Sequence, residues 1–140
     1  MQRLATKLVE VMKEVAYVEK KGNNDYHHYS YATSADVLMK INVALTKYKI
    51  CSITRPEVLS IVDVTTAKGN VEYLATVKMD IMLIDAESGE TITITGLGSG
   101  QDGGDKAVMK AQTAAIKYAY LLSMAISTGD DPEADGRTDE

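Results

Sequence analysis

At 140 residues the chain has the length of one domain, enough to bury about two-thirds of its unfolded surface. Its one cysteine, Cys51, excludes a disulfide framework and a cysteine-cluster zinc site, and no apolar run approaches membrane-spanning length. The net charge of −5 resides after Gly129, where six carboxylates stand against Arg137 alone; the remaining body is neutral, so the acidic total does not exclude a polyanionic ligand.

The first segment places Leu4, Leu8, Val11, Met12 and Val15 at helical spacing and predicts an amphipathic helix. Its charged start lacks the apolar core of a signal peptide, so a cytoplasmic protein is expected. Lys20 to Asp25 is turn chemistry, followed by the tyrosine-rich run Y-H-H-Y-S-Y. Thr33 and Asp36 form a capping-box pattern, and Val37, Leu38, Ile41, Leu45 and Tyr48 line one face of a second helix.

From Ile50 the pattern changes to strand. Ile50 to Val64 is rich in branched residues, with Pro56 suited to an edge or a bulge, and Cys51 is expected to be a buried, inert thiol there. After a turn at Ala67 to Asn70, Val71 to Ile84 alternates through Tyr73, Ala75, Val77, Met79 and Ile81. A second turn at Glu87 to Glu90 leads into alternating Thr and Ile from Thr91 to Leu97, and Asp105 to about Ser127 reads as helix. The order predicts an α+β fold in which a three-stranded antiparallel meander is packed by helices. Residues 1–129 form the domain, and the acidic stretch 130–140 is expected to be disordered.

Between the last strand and the last helix the chain spells G-L-G-S-G-Q-D-G-G-D-K-A. Gly98, Gly100 and Gly103 match G-x-G-x-x-G, but a dinucleotide fingerprint opens a parallel βαβ unit, and here no strand follows the helix. Asp102 and Asp105 stand where a pyrophosphate would lie. A phosphate loop of the ATPase kind fails too: Asp105 precedes Lys106, and Ala107 follows it where Ser or Thr is required for magnesium. Asp105 is expected to cap the helix, and the glycines to let the chain reverse sharply onto the sheet. A bulky residue at Gly103 is therefore expected to impair folding.

On the helix, Lys110 and Lys117 lie about 40° and about 20° around from Lys106 and share its stripe. Val108, Ala111, Ala115, Ala119 and Leu122 fall on another face, suited to close packing on a sheet. A lysine stripe is also what any solvated helix face carries. Tyr118 and Tyr120 flank Lys117, and with Tyr26, Tyr29 and Tyr31 they offer stacking surfaces of the kind single-strand binders use. Without Phe or Trp, some of these tyrosines must instead fill the core. His27 and His28 are adjacent and point to opposite faces of an extended segment, so no metal site is expected; His28 reads as polar surface or a nucleic-acid contact. No catalytic constellation and no cofactor are indicated, and the chain is expected not to be an enzyme.

The runs K-G-N-N-D-Y-H-H-Y-S-Y-A-T-S-A-D-V, G-S-G-Q-D-G-G-D-K-A-V-M-K-A-Q-T-A-A-I-K-Y-A and S-T-G-D-D-P resemble the Erf family of phage single-strand annealing proteins, from about Leu4 to Pro132. The resemblance implies a fold similar to the eukaryotic annealing protein Rad-fifty-two, with a β-β-β-α core that assembles into rings. It implies ATP-independent annealing of complementary single-stranded DNA in phage recombination, in the bacterial host cytoplasm, with a host single-strand-binding protein as a further partner. It nominates Lys117 as a DNA contact. Where the eukaryotic protein has a second basic residue, this chain has Tyr118, leaving phosphate contact and base stacking both open. The candidate DNA-binding set is Lys106, Lys110, Lys117, Tyr118, Lys20, Lys21, His28 and Tyr29. A passive single-strand protector is the alternative, and a nucleotide-binding enzyme ranks below it.

Overall fold

The computed structural model describes residues 1–19, 22–24 and 29–128, with backbone alone at 22–24 and 29–31. Lys20, Lys21, Tyr26, His27, His28 and the acidic stretch 130–140 lie outside the described residues, and so do the side chains of Tyr29 and Tyr31. The elements are α1 (Gln2–Glu14), β1 (Gly22–Asn24), β2 (Tyr29–Tyr31), α2 (Ser34–Lys47), β3 (Ile50–Thr65), β4 (Val71–Asp85), β5 (Thr91–Asp102) and α3 (Ala107–Ser123). β1 and β2 pair as a small antiparallel ribbon, and β3, β4 and β5 form an antiparallel meander in that order. The predicted α+β meander packed by helices is thus the architecture observed.

Local chemistry starts α2 as expected. The Thr33 hydroxyl accepts from the Asp36 amide at 3.0 Å, and the Asp36 carboxylate accepts from the Thr33 amide. Val37, Ile41, Ala44 and Leu45 then enter the core, with Leu38 and Tyr48 packed at its margin. α1 buries Leu4 and Val11, followed by Val15, whereas Met12 turns to the surface. A polar clamp fixes α1 to the β4–β5 hairpin. The fully buried Asp85 accepts from Lys7 Nζ at 2.6 Å, from the Glu87 amide at 3.0 Å and from the Ser88 hydroxyl at 2.8 Å.

The glycine-rich segment differs from its expected form. β5 does not end at Leu97; it stays paired with β4 through Asp102, opposite Tyr73. Gly96, Gly98 and Gly100 therefore lie inside a strand and alternate onto the face that receives α3. Ala107, Ala111, Ala115 and Ala119 present a stripe of four-residue spacing to them and are at most 4% exposed. A Cβ at Gly98 would stand 2.3 Å from the Ala115 nitrogen, and one at Gly96 would stand 2.4 Å from the Ala115 oxygen. These glycines make room for a helix against the strand backbone rather than for a sharp turn.

Gly103 does lie in the turn, but a Cβ there would meet nothing nearer than Glu72 at 3.9 Å, so it is not the sterically critical glycine. Asp105 is not the helix cap either: the N-cap is Lys106, with no side-chain capping bond. Asp102 braces the turn instead, accepting from the Gly104 amide at 2.9 Å.

Three further expectations change. Leu122 is exposed because α3 has run past the glycine stripe by then, and Leu121 and Met124 turn inward in its place. Val108 is only partly buried. Cys51 is exposed, because it pairs with Ile84 on the sheet face turned away from α3. Pro56 sits on the edge strand β3, as its missing donor requires, while the register break falls two residues later between Val58 and Ser60.

Candidate nucleic-acid interface

The N-terminal half of α3 has the sheet beneath it and an open groove of about 620 Å³ along its other side. Lys106, Lys110, Lys117 and Tyr118 all line this groove, with Ser34 of α2 opposite and Met109, Thr113 and Ala114 between them. The four candidate residues on α3 that the sequence singled out are therefore brought to one surface. Ser34 is joined to the helix by its hydroxyl, which donates to the Thr113 carbonyl at 3.4 Å.

The four do not play equal parts. Lys110 Nζ donates to Asp102 Oδ1 at 2.9 Å and to the Gln101 carbonyl at 3.1 Å, tying α3 to the end of β5. The Lys110 ammonium, followed by the Gly104 amide, holds the Asp102 carboxyl below its ordinary range, so the pair stays ionised and largely cancels its own charge. Lys106 stands exposed at the helix N-terminus, where the first turn carries no acidic residue. A cation there is unfavourable for the helix dipole, and the carboxylates of Asp102 and Asp105 stand beside it, so this end of the groove carries mixed charge.

Lys117 Nζ lies 5.2 Å from the Tyr118 ring centroid, a cation–π arrangement that presents a charge and an aromatic face together. Tyr118 is 43% exposed, enough ring surface to receive a planar ligand. Tyr120, expected beside it, is 3% exposed; burial raises its hydroxyl pKa, with Ser52 of β3 as hydrogen-bond partner. Adjacent helical positions separated by two residues point far apart, and the core took Tyr120.

Of the groove residues that the sequence reading missed, Met109 and Thr113 continue the lysine stripe at helical spacing and could have been found from it. Ser34 could not, because it arrives from another helix. Among the described residues no cluster of three or more His, Cys, Asp or Glu could hold a metal, and no helix is long and apolar enough to cross a membrane.

The core module is therefore an antiparallel β-β-β meander with a lysine-bearing helix laid on its last strand. The profile of the ERF superfamily matches residues 4–140, and the chain belongs to that family, one of phage single-strand annealing proteins. No curated protein matches the chain.

Proposed function

We propose that the α3 groove binds single-stranded DNA and that the protein anneals complementary strands without nucleotide hydrolysis during phage recombination. The observation that supports this most directly is the gathering of Lys106, Lys117 and the exposed Tyr118 ring in one open groove. Annealing requires no bond chemistry. It requires that backbone charge be neutralised while the bases remain free to pair, and lysines in an open groove provide sequence-independent, salt-sensitive affinity of that kind. One groove offers few charges, so the reading includes self-association, in a ring, that repeats the groove and multiplies its affinity. Such a protein would work in the host cytoplasm, meeting the host single-strand-binding protein on the same DNA.

The test is to mix two complementary fluorescent oligonucleotides with and without the protein, in the absence of ATP and magnesium. Acceleration of pairing is expected. Inhibition would identify a passive protector, and dependence on added ATP would favour a nucleotide-using enzyme.

A further inference from the structure

The chain separates its charge along its length. Residues 130–140 hold Asp130, Asp131, Glu133, Asp135, Asp139 and Glu140 against Arg137 alone, whereas the body that precedes them is neutral. The α3 groove divides its charge in a similar way. At one end Lys106 and Lys110 stand among Asp102 and Asp105, which oppose the approach of another carboxylate. Lys117 stands at the other end, about 10 Å farther along the helix than Lys110, with its ammonium over the Tyr118 ring.

The route by which the chain leaves α3 brings the acidic segment to the Lys117 end. Ala125 takes a left-handed backbone conformation, φ 53°, and the Ile126 amide donates to the Leu121 carbonyl at 2.9 Å, so the chain turns back beside the last turns of the helix. Ser127 is then fixed on both sides. Its amide donates to the Ala16 carbonyl at 3.0 Å, and its carbonyl accepts from the Val18 amide at 2.9 Å. Lys40 of α2 donates to the Tyr17 carbonyl beside it, and Ser34, about 9 Å back along α2, lines the groove. Leu121 lies only about 6 Å past Lys117 on the α3 axis. An extended chain advances about 3.3 Å per residue, so Asp130 and Asp131 come within reach of Lys117, and Glu133 and Asp135 within reach of the groove beyond it.

We propose that the acidic segment 130–140 docks in the α3 groove of its own chain, at the Lys117 end, and competes there with single-stranded DNA. The proposal rests on the DNA reading of the groove and adds a regulation to it. A short tether holds the segment at an effective concentration on the order of 1 mM. An affinity of about 0.1 mM, the weak end of sequence-independent polyanion binding, then keeps it docked roughly ten times as often as not. A strand must displace those carboxylates before its phosphates meet Lys117. A long strand that engages many charges overcomes this competition; a short one does not. Salt weakens both contacts, so the segment matters most at low ionic strength.

Carbodiimide coupling of carboxylates to amines in the full-length protein at low salt, read by mass spectrometry, tests this. Amide links from Asp130, Asp131 or Glu133 to Lys117 are expected, and a saturating oligonucleotide is expected to suppress them. Lys13 is exposed and lies four residues before Tyr17, close to the same exit, so it reports mere tethering. Coupling to Lys13 as often as to Lys117, or links that persist once the strand is bound, would overturn the proposal. So would links that join labelled to unlabelled chains in an isotope-mixed sample. The full-length variant D130N/D131N/E133Q/D135N/D139N/E140Q is expected to bind a labelled oligonucleotide about tenfold more tightly at low salt, with the difference closing as salt rises. Unchanged affinity would count equally against it. The two readings fail separately. Links to Lys117 in a protein that binds no strand sustain the docked segment and remove the DNA function; strand binding without those links does the reverse.

Discussion

The backbone nitrogen of Ala115 lies 2.3 Å from where a methyl group on Gly98 would stand, so strand β5 and helix α3 touch through their main chains. The neighbouring contacts repeat the arrangement, with Gly96 against Ala119 and Gly100 against Ala111. This close approach sets the height and direction of α3 and therefore the position of every groove lysine. The obstacle is backbone, which cannot rotate aside. Gly98→Ala is expected to cost about 3 kcal/mol and to lower Tm by about 10 °C. Gly103→Ala, with open space around it, should stay within about 0.5 kcal/mol of wild type. Thermal denaturation of the two variants checks the contrast, and equal losses would contradict it.

Lys117→Ala should weaken oligonucleotide binding while leaving folding and oligomeric state unchanged. Loss of one phosphate contact reduces the slope of log affinity against log salt by about 0.7 for a single strand. A salt titration by fluorescence anisotropy measures that slope, and an unaltered value removes Lys117 from the interface.

The ion pair between Lys110 and Asp102 makes a prediction of opposite sign. Asp102→Asn keeps a side-chain oxygen able to accept from Gly104 but removes the charge that Lys110 offsets. Affinity for single strands should rise at low salt and the salt dependence should steepen. The cost in stability should be no more than about 1 kcal/mol, as for a partly exposed pair. Unchanged binding would show that Lys110 serves only to hold the β5–α3 turn.

Tyr118 separates stacking from hydrogen bonding. If its exposed ring receives a base, Tyr118→Phe should bind nearly as wild type and Tyr118→Ala should lose about 1–3 kcal/mol of binding free energy. Equal losses in both variants would assign the contribution to the hydroxyl instead.

The clamp on α1 should appear in acid. Lys7, supported by the Glu87 amide and the Ser88 hydroxyl, lowers the Asp85 pKa to about 2. A carboxyl depressed in the folded state contributes stability that is present above its unfolded value and lost as pH falls through the folded one. Stability should therefore decline between about pH 4 and about pH 2. Asp85→Asn should be less stable at neutral pH and should flatten that decline in denaturant titrations followed across pH.

Much of this was written locally. The spacing of Val37, Ile41 and Leu45 forms α2 wherever the chain goes, Thr33 and Asp36 start it, and the alternation of Ala75, Val77, Met79 and Ile81 makes β4 a strand with one buried face. The common stripe of Lys106, Lys110 and Lys117 follows from helical periodicity alone. Family membership was equally legible, carried by the long runs around the tyrosine cluster and α3.

Tertiary structure decided what depends on partners distant in sequence. Gly98 and Gly100 read as a loop because glycine lacks strand propensity, yet pairing with Val77 and Ala75 held them in β5 and the approach of α3 required them there. Lys110 looked equivalent to Lys117 on the helix until the end of β5 placed Asp102 within 2.9 Å of it. Tyr118 and Tyr120 were indistinguishable by residue type, and the core claimed only one. By itself the sequence determined the periodicities, and hence the elements and their chemical stripes, because those repeat within a few residues. Which stripe meets backbone, carboxylate or water is set by register and close approach between segments far apart in the chain, and only the folded structure decides that.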